Sequence, residues 1–301
     1  MPRGGTNVMD YEVIHRTVYE YGEPVTVSHH AARLAPGTLA GQRVAHFHLQ
    51  VRPEPEVMSE RRDYFGNTLV VFGIRELHAR MEVEARSRVT VPGLTPPVPA
   101  LSPVWTGVAA AFRDPVSPEQ VEPYEFCLDS PLVRSSPELA QWAGRSFASE
   151  MPLLQGVSDL MRRMHREFVF DPKATDVATP LEEAWRQRRG VCQDFAHIAI
   201  AGLRSLGLAA RYVSGYLRTI PPPGKPRLQG ADASHAWIAV YCPLNGWVEF
   251  DPTNNLMPSD GHVRVAVGRD YSDVSPLSGV LTGGGEHRVA VAVDVMPLES
   301  I

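Results

Sequence analysis

Residues 77–91 read LHARMEVEARSRVTV, with Leu77, Ala79, Met81, Val83, Ala85, Val89 and Val91 on one parity and mostly charged or polar side chains on the other. Only a two-residue repeat puts such an apolar set on a single side, so this stretch has one economical solution, a half-buried antiparallel strand. Residues 44–51 repeat the pattern with Ala45, Phe47, Leu49 and Val51 inward, and residues 11–21 and 68–74 are further strand candidates. The first third of the chain is predicted to form a β-sandwich or curled sheet.

A sheet with one apolar face needs a second layer, and the chain can supply it. At roughly 100–200 residues per domain, its length of 301 residues suggests two units. Apolar residues make up 44% and charged residues 21%, which argues against long disorder. With 29 basic against 34 acidic side chains, the net charge of −5 gives no reason to expect nucleic acid or an anionic membrane as partner. The start, MPRGGTNVMDYEVIH, lacks an apolar signal core, and no stretch approaches the ~20 apolar residues that span a bilayer. A cytoplasmic, non-exported protein is expected. Cys127, Cys192 and Cys242 are too few and too scattered for a disulfide framework or a four-ligand zinc site.

Residues 92–123 are Pro-rich and read as a surface connection with one helical turn at 108–112. Helical signals follow. Ser136 caps a helix opening at Pro137, and residues 153–168 carry Leu154, Val157, Met161, Met164 and Phe168 at helical spacing. Thr179, Pro180 and Glu182 spell a capping box for a helix expected to end at Gly190. Residues 192–206 place Phe195, Ile198, Ala199, Gly202, Leu203 and Leu206 on one helical stripe before Gly207. Strands are expected at 210–217, 236–242 and 247–250, the last two joined by a turn containing Asn245-Gly246, and in the tail at 263–267 and 289–295.

Cys192 stands at a helix start, where free N–H groups and the positive dipole end favour a thiolate and can hold an oxyanion. Cys127 and Cys242 read as packing thiols, Cys242 sharing a strand face with Ile238 and Val240. A nucleophile needs a base and the base an orienter. His197 lies about 140° around the helix from Cys192, so it reads as structural, partnered with Asp194 at i, i+3. His235, opening a strand in SHAWIAVY, is the better base, and Asp251, ending GWVEFDPT, the orienter. Facing residues of an antiparallel pair share a side. A five-residue connection over 242–246 puts Asp251 opposite Trp237 on the side of His235, whereas a four-residue one turns it away.

The blocks GVCQDFAHIAIAGLRSLGLAARYVSGY, SHAWIAVY and GWVEFDPTN resemble those of the transglutaminase-like superfamily, whose papain-type core carries Cys, His and Asp in that order. YEVIHRTVYEY at Tyr11, RLAP at Arg33, DYFGN at Asp63 and the late VAVGRDYSDVSPLSG are similar to the bacterial branch, so nearly the whole chain is covered. The resemblance implies an α+β fold: a papain-like transglutaminase core, its Cys-bearing helix packed on an antiparallel sheet, behind an N-terminal β-sandwich-like domain. The expected division is 1–130 for the β-domain with its connection and 131–301 for the core with the C-terminal strands. The triad carries over to Cys192, His235 and Asp251. Gln187 and Trp185 are candidates for the second oxyanion donor, and Tyr216 and Trp237 for cleft lining, although both also read as ordinary buried strand. His46 and His48 read as solvated-face residues before they read as metal ligands.

Expected chemistry is cysteine-dependent acyl transfer on a peptide or protein substrate, with hydrolysis ahead of transamidation. The rival is a peptide-binding module without turnover, because the superfamily resembles peptidases, amidases, cross-linking enzymes and inactive scaffolds alike. No cofactor, metal, nucleic acid or membrane is implied, and nothing in the sequence sets an oligomeric state.

Overall fold

The computed structural model describes residues 8–93, 95–113, 118–219, 230 and 232–298; the first seven residues, and Leu94 and residues 114–117 of the Pro-rich connection, lie outside the described residues. In chain order the elements are β1 (Val8–Ala32), β2 (Arg43–Arg52), β3 (Val57–Arg62), β4 (Thr68–Ile74) and β5 (His78–Pro92), then α1 (Trp105–Arg113), α2 (Pro118–Glu125), α3 (Pro137–Gly144), α4 (Leu153–Glu167), β6 (Val169–Phe170), α5 (Leu181–Gln187), β7 (Arg189–Gly190) and α6 (Cys192–Ser205). The chain finishes with β8 (Ala210–Leu217), β9 (Ala233–Cys242), β10 (Gly246–Phe250), β11 (His262–Gly268), α7 (Tyr271–Val274), β12 (Leu277–Gly283) and β13 (His287–Pro297). The fold is α+β. Among the described residues no helix is long and apolar enough to cross a membrane.

β1 organises the first sheet. β4 and β5 run antiparallel along one edge of it and β12 and β13 along the other, with β2 outside β5 and β3 outside β4. Register slips near Glu20, Val25 and Val27 curl this long strand where Gly22 and Pro24 interrupt it. The slip also corrects two expected inward residues. β5 starts at His78, which is buried, while Leu77 is 64% exposed and Ala79 is exposed too, and with Met81, Glu82 and Val83 all buried the alternation holds only from Val83 onward. Ala45 is likewise exposed, because a bulge between Val44 and His46 shifts the parity of β2. The C-terminal strands β12 and β13, grouped with the second unit in the sequence reading, pair with β1 instead.

The second sheet has the order β10-β9-β8-β11, and α6 packs on β8 and β9 with α3, α4 and α5 on its other sides. α6 is therefore buried from Gln193 to Arg204, not along one stripe, and Leu206 at its C-cap is only half-buried. The Pro-rich connection folds into more than one turn: α1 buries Val108, Ala109 and Phe112, and α2 follows it. Prolines open helices readily, because the first N–H groups have no intrahelical partner. Ser136 caps α3 as expected, its Oγ accepting from the Leu139 N–H at 3.1 Å.

The expected capping box of α5 does not form. Thr179 Oγ1 accepts from the Asp176 N–H instead, Pro180 occupies the N-cap without a side-chain bond, and the helix stops at Gln187. Its left-handed C-cap is Arg188 (φ 52°), not Gly190. The two sheets share one core: Tyr11, Val13, Val89, Val91, Val293 and Val295 pack in the same cluster as the α6 residues.

Candidate active site

Gly190 and Val191 deliver the chain to α6, whose first residue is Cys192. Asp194 holds the helix start: it accepts the Val191 N–H at 2.8 Å and the Thr175 hydroxyl at 2.6 Å. Burial pushes its carboxyl up, and those two bonds oppose the shift. The expected Asp194 partner, His197, is turned elsewhere. Its Nε2 accepts the Tyr271 N–H at 3.2 Å, and burial drives the ring down to about 4, so it stays neutral.

β9 and β10 pair with Trp247 opposite Tyr241 and Phe250 opposite Ile238. This is the register of the five-residue connection over 242–246, and it carries Asp251 to the position facing Trp237. His235 Nε2 donates to Asp251 Oδ2 at 2.8 Å, which leaves Nδ1 as the nitrogen for the Cys192 sulfur. Burial lowers the His235 imidazole, but the hydrogen bonds and charges of Asp251 and Cys192 outweigh it and raise the ring to about 10.

Asp251 is wholly buried. Its Oδ2 accepts from His235, from His262 Nε2 at 3.1 Å and from Asn254 Nδ2 at 2.7 Å, while Oδ1 accepts the Thr253 and Asn254 N–H groups at 3.0 and 3.1 Å. Burial pushes this carboxyl up, yet the surrounding donors, His235 first, hold it well below the usual carboxylate range. Sequence reasoning missed Asn254 and His262. Asn254 lies in DPTNN beside a residue already singled out, but His262 carries no local signal, because its partner depends on where β11 begins.

The secondary candidates are engaged elsewhere. Gln187 is exposed and donates to Glu183 on its own helix at 2.9 Å. Trp185 sits in an aromatic cluster, 5.1 Å from Trp142 and 5.9 Å from Phe168, with the Arg188 guanidinium 3.5 Å over its ring. Tyr216 is buried beside His15, 5.6 Å between rings. Trp237 is fully buried behind His235, 5.9 Å ring to ring, and donates Nε1 to Glu249 at 3.0 Å. The tyrosine that feels the Cys192 charge is Tyr212, whose buried hydroxyl is pushed well up by burial and then by that charge. Of the other thiols, Cys127 is pushed up to about 12 by burial and Cys242 lies against Asn245 Oδ1 at 3.1 Å.

Ligand-type atoms of His235, Asp251 and His262 lie within 4.8 Å of one another. Both Nε2 atoms already direct their protons at Asp251 Oδ2, so a cation there would have to displace both. His46 and His48 are exposed on β2, as expected for a solvated face.

Comparison with known proteins bears on the family and the fold. Residues 11–90 match the bacterial transglutaminase-like N-terminal region and residues 140–252 the transglutaminase-like superfamily. An uncharacterized protein of Mycobacterium tuberculosis is 39% identical over 308 residues, covering 99% of this chain and 96% of its own length. A protein-glutamine gamma-glutamyltransferase of Pseudomonas aeruginosa is 30% identical over 106 residues, 34% of this chain and 16% of that protein. The crystal structure of a candidate cysteine protease from Cytophaga hutchinsonii superposes with a TM-score of 0.76 at 21% identity, covering 98% of this chain and 93% of that one.

Proposed function

The chain belongs to the transglutaminase-like superfamily, and on that premise we propose that it is a cysteine-dependent acyltransferase that cleaves peptide or carboxamide bonds, with water as the ordinary acceptor. One observation carries the reading: the His235 imidazole is bonded to the buried Asp251 carboxylate and is also acted on by Cys192, which opens α6. In this reading His235 already holds the thiol proton as an imidazolium, and the Cys192 thiolate attacks the carbonyl carbon. First-turn N–H groups of α6 face the developing oxyanion. The leaving amine departs with the proton held by His235, and a thioester remains. His235, now neutral, takes a proton from water, whose oxygen attacks the thioester and frees the acid and the thiol. Asp251 keeps the ring oriented and balances its positive charge.

A second reading replaces water by an amine, and the Pseudomonas relative's name favours it. Incubation with a peptide library followed by mass analysis separates the two, because cleavage, deamidation and amine incorporation give different products. Cys192→Ala is expected to abolish every such product without loss of the folded state, while Cys127→Ala and Cys242→Ala keep turnover. Product formation by Cys192→Ala at the wild-type rate would refute the covalent role.

A further inference from the structure

We infer that His262 is a positioning residue for the proposed reaction: from β11 it ties the Asp251 carboxylate to the sheet and so keeps that carboxylate under His235. The inference rests on the acyl-transfer reading and goes beyond it. Of the five donors to Asp251, three belong to the turn that Asp251 itself opens, namely the Thr253 and Asn254 N–H groups and Asn254 Nδ2. Those bonds, with the Asp251–Leu256 bridge, fix the carboxylate relative to its own turn and travel with it. They cannot fix the turn relative to His235. Besides His235, the single donor to the carboxylate from outside that turn, among the described residues, is His262 Nε2 at 3.1 Å.

The topology explains why such a tie is needed. β10 and β11 are opposite edges of the four-stranded sheet, so residues 251–261 must cross its end. Asp251 stands at one end of that crossover and His262 at the other, and their bond closes the crossover on itself with His235 of β9 between. His165 of α4 also reaches the crossover, but it bonds the Thr253 carbonyl and not the carboxylate.

His262 is itself firmly held. The Arg264 Nη1 group donates to the His262 carbonyl at 3.1 Å, and the Arg264 Nε group donates to Glu249 at 2.8 and 3.0 Å. Glu249 accepts Trp237 Nε1, and the Trp237 ring meets His262 edge-on at 5.2 Å while lying 30° from parallel to His235. His262 Nδ1 is buried with no acceptor, so the ring proton sits on Nε2 and points at Asp251. A histidine that merely filled the core would not require its one proton there.

Iodoacetamide, which reads thiol reactivity without a known substrate, tests the inference on the full chain at neutral pH, with each cysteine's alkylation followed by peptide mass. Wild-type Cys192 is expected to react much faster than Cys127. His262→Leu is expected to slow Cys192 roughly tenfold or more, in the range typical of lost supporting hydrogen bonds. His262→Gln, whose amide N–H reaches about as far as Nε2, is expected to restore most of the rate. His262→Asn, which stops a bond short, is expected to be as slow as His262→Leu. Two other donors remain on Oδ2, so the variants are expected to fold, and thermal unfolding checks this. Should His262→Leu not fold, the contrast between His262→Gln and His262→Asn still decides. Wild-type rates in His262→Leu or His262→Asn, or a His262→Gln as slow as they are, would overturn the inference while leaving the acyl-transfer reading intact. A wild-type Cys192 that reacts no faster than Cys127 would sink that reading and the inference together.

Discussion

Gly190 is a glycine because Asp194 occupies the space a side chain would need: a Cβ there would lie 2.4 Å from Asp194 Oδ2. Asp194 is 4% exposed and bonded to Val191 and Thr175, so it cannot swing aside without giving up the bonds that fix the start of α6. Gly190→Ala is therefore expected to cost about 1–3 kcal/mol in urea unfolding, the scale of a lost cap and buried hydrogen bonds, and to slow Cys192 alkylation in the same protein. Unchanged unfolding and alkylation would show that Asp194 has freedom the packing does not suggest. The sequence marked this glycine for a different reason, as the end of α5. It could not show that Arg188 takes the left-handed position, because the stacking that holds Arg188 there comes from Trp185 and Phe168, neither of which is adjacent to it. Cys192, His235 and Asp251 were legible since each sits in a short block with its own local logic. His262 was not, because its role exists only across the crossover.

At the level of elements, the DYFGN turn joins the two sheets. Asp63 accepts the Phe65 and Asn67 N–H groups and pairs with Arg33 at 2.9 Å, and the Asn67 amide then faces β11. Its Nδ2 donates to the Val267 carbonyl at 2.8 Å and its Oδ1 accepts the Val267 N–H at 2.8 Å, so one side chain imitates a strand neighbour. Gln42 does the same three residues back along β11, donating to the Arg264 carbonyl and accepting the Arg264 N–H. Asn67→Ala leaves both Val267 backbone groups bare in the interior. At roughly 1–3 kcal/mol for each unsatisfied group, a loss of about 2–6 kcal/mol is expected in urea unfolding with the slope unchanged. A loss below about 0.5 kcal/mol, the level of an ordinary surface substitution, would mean that the clasp is ornamental. The alternation that made β5 readable says which face is buried, never which strand is the neighbour. That is why 289–295 was recognised as strand and grouped with 131–301, while its pairing with β1 could not be read.

Over the whole molecule the histidines set the pH range of stability. Burial drives His15, His30 and His197 down to about 4 from an ordinary 6.5, with the charges of His78 and His29 adding to the shift at His30. Between pH 6.5 and 4 the unfolded chain binds protons at these three sites and the folded chain does not, so stability is complete above 6.5 and is lost as pH falls toward 4. Each site contributes a slope of up to about 1.4 kcal/mol per pH unit, and together they rival the ~5–15 kcal/mol that holds a typical domain folded. His235 works in the opposite sense. Raised to about 10, it keeps its proton when the unfolded histidine has lost it, so its contribution is complete below pH 6.5 and fades as pH climbs toward 10. Asp251, held low, contributes throughout this range and is lost only below about pH 4. His15 and His30 lie in β1 and His197 in α6, so acid loosens both sheets' surroundings at once. Urea midpoints are thus expected to peak near pH 6.5, to fall steeply on the acid side and to decline more gently on the alkaline side. In Asp251→Asn the alkaline decline should flatten, because His235 loses the partner that raises it, while the acid limb should keep its slope. A midpoint that stays level from pH 6.5 to 4.5 would show that the three buried imidazoles find protons, or water, within the fold.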